Sequence, residues 1–107
     1  MKTLELGEFK IGEPNRYVVI AGPCVLEDEA LTTHIAASLQ TICKKLDLPF
    51  IFKASYDKAN RTSISSYRGP GLKAGLEILG RIKEQLGVPV LSDVHRFEEI
   101  DAAAAVL

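Results

Sequence analysis

The sequence has no tryptophan, one methionine and only two cysteines, Cys24 and Cys43. Two thiols do not make the disulfide framework of a small secreted domain, and a reducing, cytoplasmic setting suits them. Charge of one sign is lacking too. The formal net charge is -1, so no global basic field directs the chain to nucleic acid or to an anionic membrane. No apolar run approaches the ~20 residues that span a bilayer, and the opening MKTLELGEFK has no apolar core of a secretory signal. What is present is ordinary globular material. Apolar residues make up 47% and charged residues 25% of 107 residues, which argues against disorder and leaves room for one domain at most.

An apolar strand, a turn and a helical stretch recur along the chain. Residues 3–12 alternate loosely through Leu4, Leu6, Phe9 and Ile11 around Gly7, which predicts a short hairpin. Tyr17 to Ala21 is a near-continuous apolar run, as in a parallel strand buried on both faces. Asp28 to Leu46 reads as a helix whose inner face is Leu31, Ile35, Leu39, Ile42 and Leu46, with acids at its start and Lys44 and Lys45 at its end. Phe50 to Ala54 is the second strand. A polar stretch, Ser55 to Gly71, leads to a helix over Leu72–Leu86 with Leu72, Leu76, Leu79, Ile82 and Leu86 inward, stopped by Gly87. Val88 to Asp93 contains the third strand, and Phe97 to Leu107 begins a third helix.

Strands alternating with helices imply right-handed βαβ units and a parallel sheet, in a doubly wound α/β fold or an eight-stranded barrel. A full barrel takes about 250 residues, and rarely fewer than about 200. The expectation is therefore that these residues form the N-terminal portion of a longer protein, and that residues 1–107 alone are inactive. In either architecture ligands bind at the carboxyl ends of the strands. Three segments qualify: Gly22 to Glu27, Lys53 to Arg68, and Asp93 to His95.

The second segment is the most informative. Lys53, Lys58, Arg61 and Arg68 are four cations within sixteen residues of a nearly neutral chain, with Asn60, Thr62, Ser63, Ser65 and Ser66 as hydrogen-bonding groups. Such a set matches phosphate and carboxylate oxygens. A solvated loop is the plain alternative, which Lys53 resists because it directly follows the apolar Phe50-Ile51-Phe52. Cys24 reads either as a metal ligand or nucleophile, or as a small buried residue. Cys43 reads as core and His34 as a helix-flank residue. Asp93 and His95 point the same way if the strand runs through them; otherwise Asp93 is a helix or turn cap.

The run Phe52-Lys53-Ala54-Ser55-Tyr56-Asp57-Lys58-Ala59-Asn60-Arg61-Thr62-Ser63, then Ser66-Tyr67-Arg68-Gly69-Pro70-Gly71, closely resembles the 3-deoxy-D-manno-octulosonate 8-phosphate synthase family. Ala21 to Glu27 and Ser92-Asp93-Val94-His95 resemble that family's neighbouring motifs in the same order, so the resemblance runs over essentially the whole chain. It implies a (β/α)8 TIM barrel, here an N-terminal hairpin plus about three βα units of one aldolase-type domain, closed at the bottom by the hairpin and assembled as a homotetramer. It implies condensation of phosphoenolpyruvate with D-arabinose 5-phosphate, giving phosphate and an eight-carbon sugar acid phosphate of lipopolysaccharide synthesis. Lys53 and Lys58 would hold phosphoenolpyruvate. Asn60 would bind the pentose hydroxyls, and Arg61 and Thr62 its phosphate, reaching in from a neighbouring subunit. The family commonly has Ser where Thr62 stands, and the hydroxyl is kept. Asp93 would lie near the aldehyde and any metal-bound water, with Lys58 and Asp93 as the catalytic pair. Cys24 matches the branch that uses a divalent metal, whose other ligands come from later in the barrel; His95 does not match them. Two alternatives stand beside this reading. One is a sister phosphoenolpyruvate–aldose synthase; the other is an inactive truncated barrel.

Overall fold

A computed structural model describes residues 2–14, 16–58 and 67–107. Its elements follow the alternation of the sequence. The first two strands, β1 (Leu4–Leu6) and β2 (Phe9–Ile11), pair antiparallel across the Gly7-Glu8 turn, with Leu4 opposite Ile11 and Leu6 opposite Phe9. Three parallel strands follow: β3 (Val19–Ala21), β4 (Phe50–Lys53) and β5 (Val90–Leu91). They lie side by side in chain order, joined by helices α1 (Glu29–Lys45) and α2 (Leu72–Leu86). A 3-10 turn over Phe97–Glu99 opens α3 (Ile100–Ala104). The α/β class and the parallel sheet are as expected.

Each helix has local reasons to form. Asp28 caps α1, accepting bonds from the backbone N–H groups of Ala30 and Leu31 at 3.3 and 3.4 Å. Glu29 and the Lys44–Lys45 pair occupy the ends the helix dipole prefers. Gly87 ends α2 in the left-handed region at φ 63°, a conformation that costs glycine no Cβ clash. The helices lie against one another. Gln40 Nε2 donates to the Leu86 carbonyl at 2.7 Å, and Arg81 grips Glu29 with two bonds of 2.8 and 2.7 Å.

The core forms where both helices meet one face of the sheet. Phe50, Phe52 and Val90 from the strands, Ala36 and Cys43 from α1, and Leu76, Leu79 and Ile82 from α2 are all buried. Cys43 is thus core, as expected, and its burial pushes its thiol pKa up. On α2 the expected stripe holds: Leu76, Leu79 and Ile82 are buried, and Leu72 and Leu86 pack on the core's border. On α1 it holds in part. Ile35 and Leu39 pack against the core, whereas Leu31, Ile42 and Leu46 are at least half exposed, and the fully buried positions are Thr32, Ala36 and Cys43. Small residues let the helix approach closely, and Thr32 is buried with its hydroxyl satisfied by the Asp28 carbonyl at 2.8 Å.

β3 and β4 are shorter than the apolar runs Tyr17–Ala21 and Phe50–Ala54, β4 ending at Lys53. Tyr17 lies outside β3 and is 79% exposed. Ile20 is half exposed: alternate residues of the strand face away from the helices, and among the described residues β3 pairs with β4 alone. Beyond Val90 and Leu91 the third strand gives way to an irregular segment carrying Ser92 and Asp93. The hairpin faces the opposite end of the sheet. Leu6, Phe9, Ile51 and the Val88–Leu91 segment line a cavity of about 640 Å³ toward the strands' amino ends.

Gly22 sets the spacing at the carboxyl end. A Cβ there would run into the backbone carbonyl of Lys53. Gly22→Ala is expected to cost roughly 1–3 kcal/mol, read as a lower urea midpoint; an unchanged midpoint would contradict this close approach.

Candidate functional site

The three segments singled out by the sequence leave the same end of the sheet. After Gly22-Pro23 the chain re-pairs with the exit of β4. Val25 bridges Ser55, the Ser55 N–H donates to the Cys24 carbonyl at 3.2 Å, and the Leu26 N–H donates to the Ser55 carbonyl at 2.9 Å. This pairing places Cys24, with an exposed side chain, at the edge of a cavity of about 260 Å³. Glu27, Leu31, Thr32 and Lys58 line it too. Cys24 is therefore not the small buried residue of the plainer reading.

Lys53 and Asp93 come together although forty positions apart in sequence. Lys53 ends β4, and its Nζ lies 3.5 Å from Asp93 Oδ2, with both side chains partly exposed. Asp93 does not cap the following 3-10 turn, which has no side-chain cap. The strand stops at Leu91, so the condition for Asp93 and His95 to point the same way is not met; the His95 ring stands edge-on to Tyr56, with centroids 6.0 Å apart. His34 is exposed on α1, as a flank residue would be.

Lys58 is fixed through its backbone. Its N–H donates to the Arg68 carbonyl at 2.6 Å, and the Gly71 N–H donates to the Tyr56 carbonyl at 3.0 Å. Arg68 Nε and Nη2 donate to the two Asp57 carboxylate oxygens at 2.6 and 3.0 Å. This bidentate pairing raises the guanidinium pKa further. It also changes the role expected of Arg68, whose guanidinium is matched in a bidentate pair inside the chain and ties the loop's base. Asn60, Arg61 and Thr62, with Ser63, Ser65 and Ser66, lie outside the described residues.

One part of the site was not anticipated. The Tyr56 hydroxyl donates to Glu99 Oε1 at 2.9 Å, and its backbone N–H donates to the buried Ser92 Oγ at 3.4 Å. Tyr56 is 1% exposed. A polar-tipped ring in so apolar a place was the available signal, since a buried tyrosine hydroxyl needs a partner. Burial and the neighbouring Glu99 carboxylate push its pKa up to about 12.

Among the described residues no group of three His, Cys, Asp or Glu side chains could hold a metal ion. Cys24 and Glu27 share a cavity but fall short of the three or more protein donors of a bound transition metal. The described residues therefore do not make up a metal centre.

The model of the DAHP synthetase I family matches residues 2–107. Over 107 residues the chain is 57% identical to the "2-dehydro-3-deoxyphosphooctonate aldolase" of Geotalea daltonii, covering 100% of the chain and 39% of that protein. Over 106 residues it is 53% identical to the protein of the same name from Geobacter metallireducens, covering 99% of the chain and 39% of that protein. The chain thus spans about two-fifths of the length of these curated relatives.

The Tyr56 site has a measurable signature. An acid whose folded pKa is raised keeps its proton after the unfolded chain has lost it, so its contribution is full below the unfolded value near 10 and is lost as pH rises to about 12. A tyrosine titrating near the top of that window in tyrosinate absorbance, absent from Tyr56→Phe, is the expected result; titration of every tyrosine near 10 would contradict it.

Proposed function

Since the chain belongs to the DAHP synthetase I family, we propose that its protein condenses phosphoenolpyruvate with D-arabinose 5-phosphate, releasing phosphate and 3-deoxy-D-manno-octulosonate 8-phosphate. The whole protein is then a (β/α)8 barrel of which this chain supplies the hairpin and the first βα units. Its setting is the cytoplasm, its assembly a homotetramer, and its partners are small anionic substrates.

The observation that carries this reading is the gathering of Lys53, Asp93 and the Lys58 backbone at the carboxyl end of one parallel sheet. The name shared by the curated relatives supports the choice of product. Bringing an enol phosphate against an aldose phosphate sets two phosphates and a carboxylate close together, and cations must offset their repulsion. Lys53 and Lys58 take phosphoenolpyruvate. Asn60 takes the pentose hydroxyls, and Arg61 and Thr62 its phosphate. Asp93 stands by the aldehyde. In the reaction the methylene carbon of phosphoenolpyruvate bonds to the aldehyde carbon, whose oxygen takes up a proton. Water adds to the cationic centre left behind and the C–O bond to phosphate breaks. Cys24 would be one donor to a divalent ion, its other donors lying beyond the described residues.

The purified full protein is expected to turn over phosphoenolpyruvate with arabinose 5-phosphate. Turnover with erythrose 4-phosphate or N-acetylmannosamine instead would replace this reading by a sister synthase. Lys58→Met is expected to lower kcat/KM by about 100-fold or more, the scale of losing one preorganised charge contact; a change under threefold would remove Lys58 from the site. Treatment with a chelator is expected to abolish turnover, and Cys24→Ser to lower bound metal measured by elemental analysis. Full activity in metal-free protein would exclude the metal role of Cys24.

A further inference from the structure

Among the described residues, the contacts that join the exit of β4 to the segment after β5 include the Lys53–Asp93 ion pair, the Tyr56 N–H to Ser92 bond, the Tyr56 ring against His95, and the Tyr56 hydroxyl to Glu99 bond. All of these but the ion pair belong to Tyr56. Lys53 and Asp93 are themselves partly exposed, and an exposed pair contributes little to holding its own geometry. Ser92 and Glu99 flank Asp93 on both sides, so a chain fixed at both points has little freedom between them.

We propose that Tyr56 is a positioning residue: its hydroxyl, bonded to Glu99, pins the 92–99 segment so that the Asp93 carboxylate stays against Lys53. The inference deepens the functional reading above and rests on it for its catalytic consequence, though not for its geometric one. The bond is well suited to the task. Its donor sits on a ring packed in the core and its acceptor on a turn at the start of α3. The tyrosine stays protonated, and so able to donate, through the whole neutral range.

The test uses the full protein and two readouts. In the crystal structure of Tyr56→Phe, which keeps the ring and removes only the hydroxyl, the separation of Lys53 Nζ from Asp93 Oδ2 is expected to open beyond the ion-pair limit of about 4 Å. In steady-state kinetics kcat is expected to fall by about tenfold while KM for phosphoenolpyruvate stays within about twofold, because the loss is one of alignment rather than of a binding contact. Glu99→Gln keeps an oxygen acceptor and is expected to retain both the separation and kcat, whereas Glu99→Ala is expected to behave like Tyr56→Phe. The Glu99 pair also decides the matter should Tyr56→Phe fail to fold. An unchanged separation in Tyr56→Phe overturns the tether. A widened separation with unchanged kcat overturns its part in the reaction. Absence of condensation by the parent protein overturns the functional reading, and the crystallographic comparison still decides the tether.

Discussion

The carboxyl end of the sheet depends on β4 being hydrogen-bonded along both sides. Its backbone pairs with β3 from Phe50 to Phe52 and with β5 from Phe52 to Lys53, and Phe52 is fully buried beneath both helices. A strand held on two edges and one face cannot slip in register without moving every side chain on it to the opposite face. Lys53 is therefore presented at a fixed height at the strand's end, and the residues after it leave from a fixed point. The exit of β3 is then zipped onto that point through Ser55, and the exit of β5 through Tyr56. The loops that carry the polar residues are positioned by the central strand, although none of them belongs to it.

Much of this was legible in the residues. The strand–helix alternation, the acidic start and basic end of α1, and Gly87 after α2 each state a local preference that the fold obeys. The Lys-Ala-Ser-Tyr-Asp-Lys run marks the segment that leaves the strand end, and Lys53, Lys58, Cys24 and Asp93 all prove to lie at that end. Less legible was which of two overlapping apolar stripes of α1 would turn inward. Of the expected face, Ile35 and Leu39 pack against the core, yet Leu31, Ile42 and Leu46 stay at least half exposed while Thr32, Ala36 and Cys43 are buried. Hydrophobicity ranks side chains by their gain on leaving water, whereas the distance between helix and sheet is set by volume, and small residues win where backbones come close. The Tyr56–Glu99 bond joins residues forty-three positions apart. Sequence spacing holds no record of such a pair, because the folding of α2 and β5 between them creates it.

Charge on this chain is sorted locally rather than globally. The near-zero net charge hides a cluster of cations in one loop, which suits small anionic ligands. Within that cluster the cations do not have the same role. Arg68 spends Nε and Nη2 on Asp57 at 2.6 and 3.0 Å, a bidentate match whose geometry a lysine could not reproduce. It closes the loop's base and brings the Lys58 backbone to its carbonyl. A residue read from sequence as an anion contact is, in the fold, what holds another one in place.

The Lys53–Asp93 pair works by the opposite logic. At 3.5 Å and partly in solvent, it is long and weakly held compared with the Asp57–Arg68 grip. A weak pair is the more useful one at a binding site. A tightly bonded, desolvated ammonium would have to break a strong contact before meeting a substrate oxygen, and that cost would be subtracted from affinity. A loosely held ammonium stays oriented by its neighbour and exchanges it cheaply for another anionic oxygen. Orientation without strong pairing requires that the two backbones be fixed by something other than the pair. Double-sided pairing of β4 fixes one, and the bonds Tyr56 makes to Ser92 and Glu99 fix the other. The backbones at this end of the sheet are thus held by contacts other than the Lys53–Asp93 pair, which leaves those two side chains room to rearrange.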